Sequence, residues 1–208
     1  MKNFIFILFC IFTITACGDE QFLNVSELSG SSQNPPTLNG AQYVVFEGSL
    51  TSTPTAVSGT GSFIFMNPRA QSCNNFKTQF TLEDQGQLVL WTNAQAKLQN
   101  GIGIKFVRDG KNLKVFLVGR SADIDVTNRF KGIDASKTLT LFLDVHNSEN
   151  PAHVVVWNQN LNHGSIRYNS GSHGKAPPKG LGNLWGYSIK KAKIVAATAG
   201  KPAFDHHH

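Results

Sequence analysis

The stretch LFLDVHNSENPAHVVVWN, from Leu141 to Asn158, gathers Asp144, His146, His153, Trp157 and Asn158 within eighteen residues. Those residue types suit two chemistries. A tryptophan offers a flat apolar platform to the C–H face of a sugar ring, while carboxylate, amide and imidazole groups exchange hydrogen bonds with its hydroxyls. Two imidazoles also suit a metal, but His146 and His153 lack compact ligand spacing and the sequence places no third ligand. Strand alternation decides which groups can meet. Leu139, Leu141, Leu143 and Val145 fall on one face, and Phe142, Asp144 and His146 on the other. Residues 147–152 read as a turn around Pro151. After it, His153, Val155 and Trp157 share a face, and Val154, Val156 and Asn158 share the opposite one. If His146 pairs with His153, then Phe142, Asp144, His146, His153, Val155 and Trp157 form one polar and aromatic face. A shift of one residue sends Trp157 to the core instead, leaving an ordinary hairpin with a polar outer side.

A second candidate follows directly. NQNLNHGSIRYNSGSHGKAPPKGLGN, 158–183, is dominated by Gly, Asn, Ser, His and Pro, with one short strand expected at its centre. Polar stretches of this length often carry function, though many are only solvated loops. His163, Arg167, Tyr168 and His173 are its ligand-binding candidates, together with Asn160 and Asn169. Because it adjoins Trp157, the two candidates can build one site.

The elements that must position these residues are strands. Short runs rich in branched and aromatic residues occupy 41–50, 61–67, 75–83, 87–92, 123–130, 137–146, 153–158, 164–169 and 185–196. GIKFVRDGKNLKVFLVGR, 103–120, reads as a hairpin with Asp109-Gly110 at its turn. Only 93–100 is a candidate short helix. The expectation is an all-β, two-sheet antiparallel β-sandwich or a barrel, over one domain from 38 to 199. The run 86–119 and the last strand, GYSIKKAKIVA (186–196), carry a resemblance to the concanavalin A-like jelly roll, the group of legume-lectin-like domains, laminin-G-like modules and several polysaccharide-degrading enzymes. The resemblance rests on pattern and implies a late strand that pairs back near the first. Lys190, Lys191 and Lys193 make one local basic cluster, expected on a solvated edge strand.

Laminarinase-like enzymes of that group carry Glu-x-Asp-x-x-Glu on one strand. ADIDVTN, 122–128, matches it loosely with Asp123 and Asp125, but Asn128 stands where a second catalytic Glu is needed. Retaining hydrolysis needs two carboxyls, one of them a proton donor, and an amide is not one. No catalytic residue is therefore assigned. Asp123 and Asp125 are weak candidates for a calcium pair with loop carbonyls; otherwise no cofactor is expected. Neither a phosphate-binding Gly-rich loop nor a Gly-x-Ser-x-Gly elbow occurs. Trp91 and Trp185, at strand ends in apolar runs, are expected to pack in the core or at its rim.

The chain opens with Lys2 and an apolar run from Phe4 to Ile14, too short to span a bilayer. Ile14-Thr15-Ala16-Cys17 after it resembles the bacterial lipobox. That resemblance implies a signal peptide over 1–16, lipidation of Cys17, and acylation of the new amino terminus, with several chains giving a stable membrane anchor. Gly18 rather than Asp follows the cysteine, which favours the outer membrane. Residues 17–37 read as a Ser/Asn/Pro-rich tether, and 200–208, ending in three histidines, as a tail that can hold part of a tag. With Cys10 lost and Cys17 lipidated, Cys73 remains as a single thiol, expected to be a small apolar residue.

The 19 Lys+Arg face 13 Asp+Glu, an excess of six; cleavage before Cys17 removes only Lys2 and leaves an excess of five. A basic exported domain attracts anionic envelope polymers. The cations are dispersed rather than striped, which argues against nucleic acid. The sequence therefore points to a lipid-anchored cell-envelope protein whose β-sandwich binds carbohydrate or an anionic polymer without catalysis. The rivals are a structural or protein-interaction lipoprotein and a divergent polysaccharide-cleaving enzyme.

Overall fold

The computed structural model describes residues 35–69, 73–119, 123–146, 153–158, 164–167 and 182–200. The lipobox, most of the tether and the tail beyond Gly200 lie outside them. The described residues form β1 (Thr37–Leu38), β2 (Ala41–Thr53), β3 (Ala56–Phe65), β4 (Cys73–Ala94), β5 (Ile102–Asp109), β6 (Asn112–Val118), β7 (Ile124–Asp125), β8 (Leu139–His146), β9 (His153–Asn158), β10 (Gly164–Arg167) and β11 (Leu184–Gly200). All pairings are antiparallel. Two short 3-10 turns, Ala96–Leu98 and Thr127–Phe130, complete the set.

Two layers arise because the long strands change partners along their length. The first half of β4 pairs with β8, from Cys73↔His146 to Phe80↔Leu139, and its second half pairs with β5, from Gln87↔Val107 to Thr92↔Ile102. β11 follows β4 along both halves and pairs with β3 on its other side. One layer then runs β10, β9, β8, β4, β11, β3, β2; the other runs β7, β6, β5, β4, β11, β3, β2, β1. The chain is an all-β antiparallel sandwich.

The core lies between the layers. Val57, Ile194, Phe80 and Leu139 are register neighbours across one layer, and Phe63, Tyr187, Leu90, Ile104 and Leu117 across the other; all are buried. Phe80 meets Phe106 with ring centroids 5.5 Å apart, and Trp185 stacks on Phe65 at 4.0 Å while also reaching Phe76. Two hydroxyl pairs join the layers: Tyr187 with Thr78 at 2.6 Å, and Tyr43 with Ser52. Burial pushes the Tyr187 phenol well above its ordinary range and the Thr78 bond only partly opposes this, so the group stays neutral and hydrogen-bonded.

The layer change is made at a line of irregularities. Residues 83–86 of β4 stand opposite the single residue Lys191, between the pairs Leu82↔Ala192 and Gln87↔Lys190. Lys191 and Gln85 adopt positive φ, 48° and 58°. On β2 an extra residue, Phe46, lies between Val45↔Phe63 and Glu47↔Ser62. Gly86 is needed there, since a Cβ would lie 2.4 Å from the Lys191 carbonyl oxygen; Gly59 in the same line has φ of 121°. Bulges of this kind bend strands and increase their twist. The β5–β6 hairpin ties into the corner. Arg108 Nη1 donates to the Leu82 carbonyl at 2.8 Å, and the Gly110 amide donates to Asp84 Oδ1 at 2.9 Å.

Three expectations from sequence are corrected. The runs 75–83 and 87–92 are one bent strand, because the turn-like residues between them make a corner rather than a reversal. Of 123–130 only Ile124–Asp125 is extended; the rest is a 3-10 turn. The expected Asp109-Gly110 turn is present, with Gly110-Lys111 as the loop and Asp109↔Asn112 closing it. Lys190, Lys191 and Lys193 are exposed, yet β11 is central, with β3 and β4 on either side.

Gly86→Ala is expected to lower stability by about 1–3 kcal/mol through overpacking against backbone, read as a fall in the urea midpoint. Tyr187→Phe leaves the Thr78 hydroxyl buried without its partner and is expected to cost about 1–3 kcal/mol by the same measurement.

Candidate functional site

The β8–β9 register answers the question posed by Trp157. Leu139, Leu141 and Leu143 are buried, so positions 140, 142, 144 and 146 belong to the alternate face of β8. His146 pairs with His153, Asp144 with Val155 and Phe142 with Trp157. Phe142, Asp144, His146, His153, Val155 and Trp157 therefore share the face that alternates with the buried leucines. Asn158 pairs with Leu141 and falls on the core-side face, so the register separates it from the others. Arg167 closes β10 opposite His153, with Ser165 opposite Val155. His163, Tyr168 and His173 lie outside the described residues.

The neighbouring strand adds groups that the sequence reading did not include. Cys73 pairs with His146, Asn75 with Asp144 and Lys77 with Phe142. Asn75 is half-buried, and its buried Nδ2 finds no acceptor among the described residues. The alternation in CNNFKTQF, with Phe76 and Phe80 inward, holds the only local signal of this row. Which strand pairs with β8 is not written there.

Asp123 and Asp125 sit elsewhere, at the far edge of the other layer. Asp123 makes an ion pair with Lys105, whose ammonium also lies 4.9 Å from the centre of the Phe116 ring. Asp125 Oδ1 accepts the Thr127 amide at 2.8 Å. Hydrogen bonds from the Thr127 side chain and then its backbone hold the Asp125 carboxyl below its usual range. Calcium takes six to eight oxygens. A pair with one member neutralised by lysine and the other bonded to its own turn does not fit that need. Among the described residues no three His, Cys, Asp or Glu side chains cluster for a metal. Asn128 lies in the 3-10 turn, off the strand a catalytic carboxylate motif requires.

Across that same outer face runs a hydrogen-bonded line. Trp91 Nε1 donates to Ser188 Oγ at 3.1 Å, Ser188 and Ser62 are bonded at 3.0 Å, and Ser62 Oγ lies 3.3 Å from Glu47 Oε2. One hydroxyl proton cannot serve two acceptors, so the chain is consistent when Ser62 donates to Glu47 and Ser188 donates to Ser62. Trp91 is half-buried, with Gly103 and Gly186 as its register neighbours. Trp185 is fully buried, and its Nε1 donates to the Asn67 carbonyl at 2.8 Å.

No family model matches this chain, and no curated protein matches it. Solved structures do. The carbohydrate-binding module CBM66 from Bacillus subtilis aligns with TM-score 0.51 and 14% identity, over 80% of this chain and 100% of its own. Arcelin-5, a lectin-like defence protein from Phaseolus vulgaris, aligns with TM-score 0.47 and 11% identity, over 79% and 94% of the two chains. The VIP36 exoplasmic/lumenal domain in a Ca2+/Man3GlcNAc-bound form aligns with TM-score 0.47 and 14% identity, over 79% and 86%. The fold is the lectin-like jelly-roll sandwich expected from the sequence.

The Asp125 environment gives a pH test. A folded carboxyl held below its ordinary value contributes stability above that value, and the contribution is lost as pH falls through the folded one. Thr127→Val removes the larger of the two bonds and keeps the amide. The Asp125 carboxyl is then expected to titrate at higher pH, partway back toward 3.8, in a carbon-detected NMR titration.

Proposed function

We propose that this protein is a lipid-anchored envelope component whose β-sandwich binds carbohydrate without catalysis, through the outer face of β8, β9 and β10. The observation that carries the reading is the β8–β9 register, which sets Trp157 and Phe142 opposite each other and aligns Asp144, His146 and His153 on the same face. An aromatic position beside hydrogen-bonding positions is the composition that sugar recognition needs: stacking supplies apolar contact and the polar groups set orientation. The likeness to a carbohydrate-binding module supports this at the level of fold. The basic excess of the chain favours an acidic glycan or other anionic envelope polymer as ligand. Arg167 and Lys77, which flank the face on β10 and β4, supply cations where such a polymer would lie. Anchoring through Cys17 in the outer membrane would hold this face close to envelope polysaccharide.

The test is a glycan array and envelope-polysaccharide screen with the purified protein. Binding is expected, and Trp157→Ala is expected to weaken it by at least tenfold, since truncating an aromatic anchor of a binding site typically costs about 2 kcal/mol or more. Absence of binding to any glycan, or binding unchanged by the substitution, favours a structural or protein-interaction role. The anchor is tested separately: Cys17→Ser is expected to abolish metabolic labelling by radioactive palmitate and to release the protein from the membrane fraction.

A further inference from the structure

The layer that carries β5 and β6 has an indole laid across its outer face. Trp91 stands between two glycines in register, Gly186 on β11 and Gly103 on β5, so neither neighbouring strand raises a side chain beside it. A Cβ on Gly103 would lie 2.9 Å from Trp91 Cε3, so the indole covers that backbone directly. On its other side Trp91 Nε1 donates to Ser188 Oγ of β11 at 3.1 Å. A ring that covers β5 and bonds β11 lies across β4. Trp91 is half-buried, which leaves part of that ring open to solvent. The row beside it, Glu47↔Ser62↔Ser188↔Val89↔Lys105↔Phe116, runs from β2 to β6 in unbroken register. Five strand spacings of about 4.8 Å make it about 24 Å long. One end of the platform is walled by the turn that follows β4. There Leu98 packs with Ile64, Ala94 and Leu184, and Trp91 and Phe46 lie against that cluster. The turn holds Asn93, Lys97, Leu98 and Asn100 at positive φ, between 51° and 58°. Lysine and leucine rarely adopt that conformation, and strained backbone gathers at binding sites.

We infer that the face around Trp91 is a separate binding site for an uncharged saccharide chain. The open part of the indole suits the apolar C–H groups of a sugar ring. Groups for the hydroxyls stand on both sides of it. Toward β2, Glu47 is exposed, and its hydrogen bond from Ser62 uses only one of the acceptor positions of a carboxylate. Toward β6, the Lys105–Asp123 pair presents a donor and an acceptor together, and Phe116 adds a second half-buried ring. Ser188 and Ser62 are engaged with Trp91, with each other and with Glu47, so they hold the indole in place before a ligand arrives. Charge selects the ligand class. Glu47, Asp123 and Asp125 stand along the row with Lys105, while the exposed Lys97 and Lys190 stand beside it, so the charges balance. A balanced face exerts little pull on a polyanion. The length of the row suits several sugar units rather than one. This site extends carbohydrate binding to the second layer, and it does not rest on the β8–β9 face, none of whose residues takes part.

The experiment titrates the purified full chain with cellohexaose, laminarihexaose, maltohexaose and mannohexaose by calorimetry. Binding of at least one is expected, with the same affinity at low and high salt, because the ligand carries no charge to screen. Trp91→Ala is expected to weaken binding by at least about tenfold, and Trp91→Phe by less. Glu47→Ala, at an exposed position, is expected to weaken it several-fold, and Trp157→Ala to leave it unchanged. Circular dichroism of each variant separates ligand loss from misfolding. Should Trp91→Ala not fold, Glu47→Ala and Trp91→Phe carry the test, and unchanged affinity in both overturns the site. Absence of binding to all four sugars, full affinity in a folded Trp91→Ala chain, or an affinity that collapses with salt would also overturn it. Loss in Trp157→Ala alone leaves the β8–β9 reading standing and sinks this one, whereas loss in Trp91→Ala alone supports this site and not the other.

Discussion

The bend that β2, β3, β11 and β4 share sets what every other element does. Four residues of β4 stand against Lys191, Phe46 is extra on β2, and glycines occupy the points where backbones approach. This line lets a hydrogen-bonded sheet fold over on itself. The inner faces then meet, and the aromatic and aliphatic rows of the two halves lose their water together. Without the bend, the same residues would make a long sheet with one apolar face and nothing to cover it. The positive φ values of Lys191 and Gln85 show that side chains are held there against their usual preference. Burial of Trp185, Phe65, Phe63 and Tyr187 is the favourable term that offsets it.

The outer faces inherit their geometry from that core. Alternation along β8 is fixed by Leu139, Leu141 and Leu143, which cannot slip by one residue without sending three leucines into water. The register of β9 on β8, and of β10 on β9, is then carried outward from a layer that is already locked. A face built in this way presents its residues on strands rather than on loops.

Much of this architecture was legible in the sequence. Alternation gave the strands and the two faces of 139–146 and 153–158, and the polar turn chemistry marked their ends. What failed was long-range. The residues between 83 and 87 look like a reversal because their local chemistry is that of a turn, and only pairing with both halves of β11 shows that the strand continues. Lys190, Lys191 and Lys193 read as protection of an edge. They lie on the exposed side of a central strand, and solvation alone does not distinguish the two situations. At the site, the alternation of Cys73, Asn75 and Lys77 was visible, but the adjacency of β4 to β8 was not. Asp123 and Asp125 were read as weak candidates for a calcium pair. The sequence could not show that Lys105, two strands away, neutralises one of them.

The position of β11 bears on how the chain acquires its structure. This strand pairs with residues of β3 and β4 that precede it by ninety residues or more. Closing such large loops carries an entropic cost before any contact repays it, and chains dominated by distant pairings fold slowly. The central strand of both layers is therefore the last of the eleven to be synthesised. Until it arrives, β3 and β4 each lack a neighbour and the aromatic rows lack Trp185 and Tyr187. A nascent chain short of residue 184 has no complete layer to settle into.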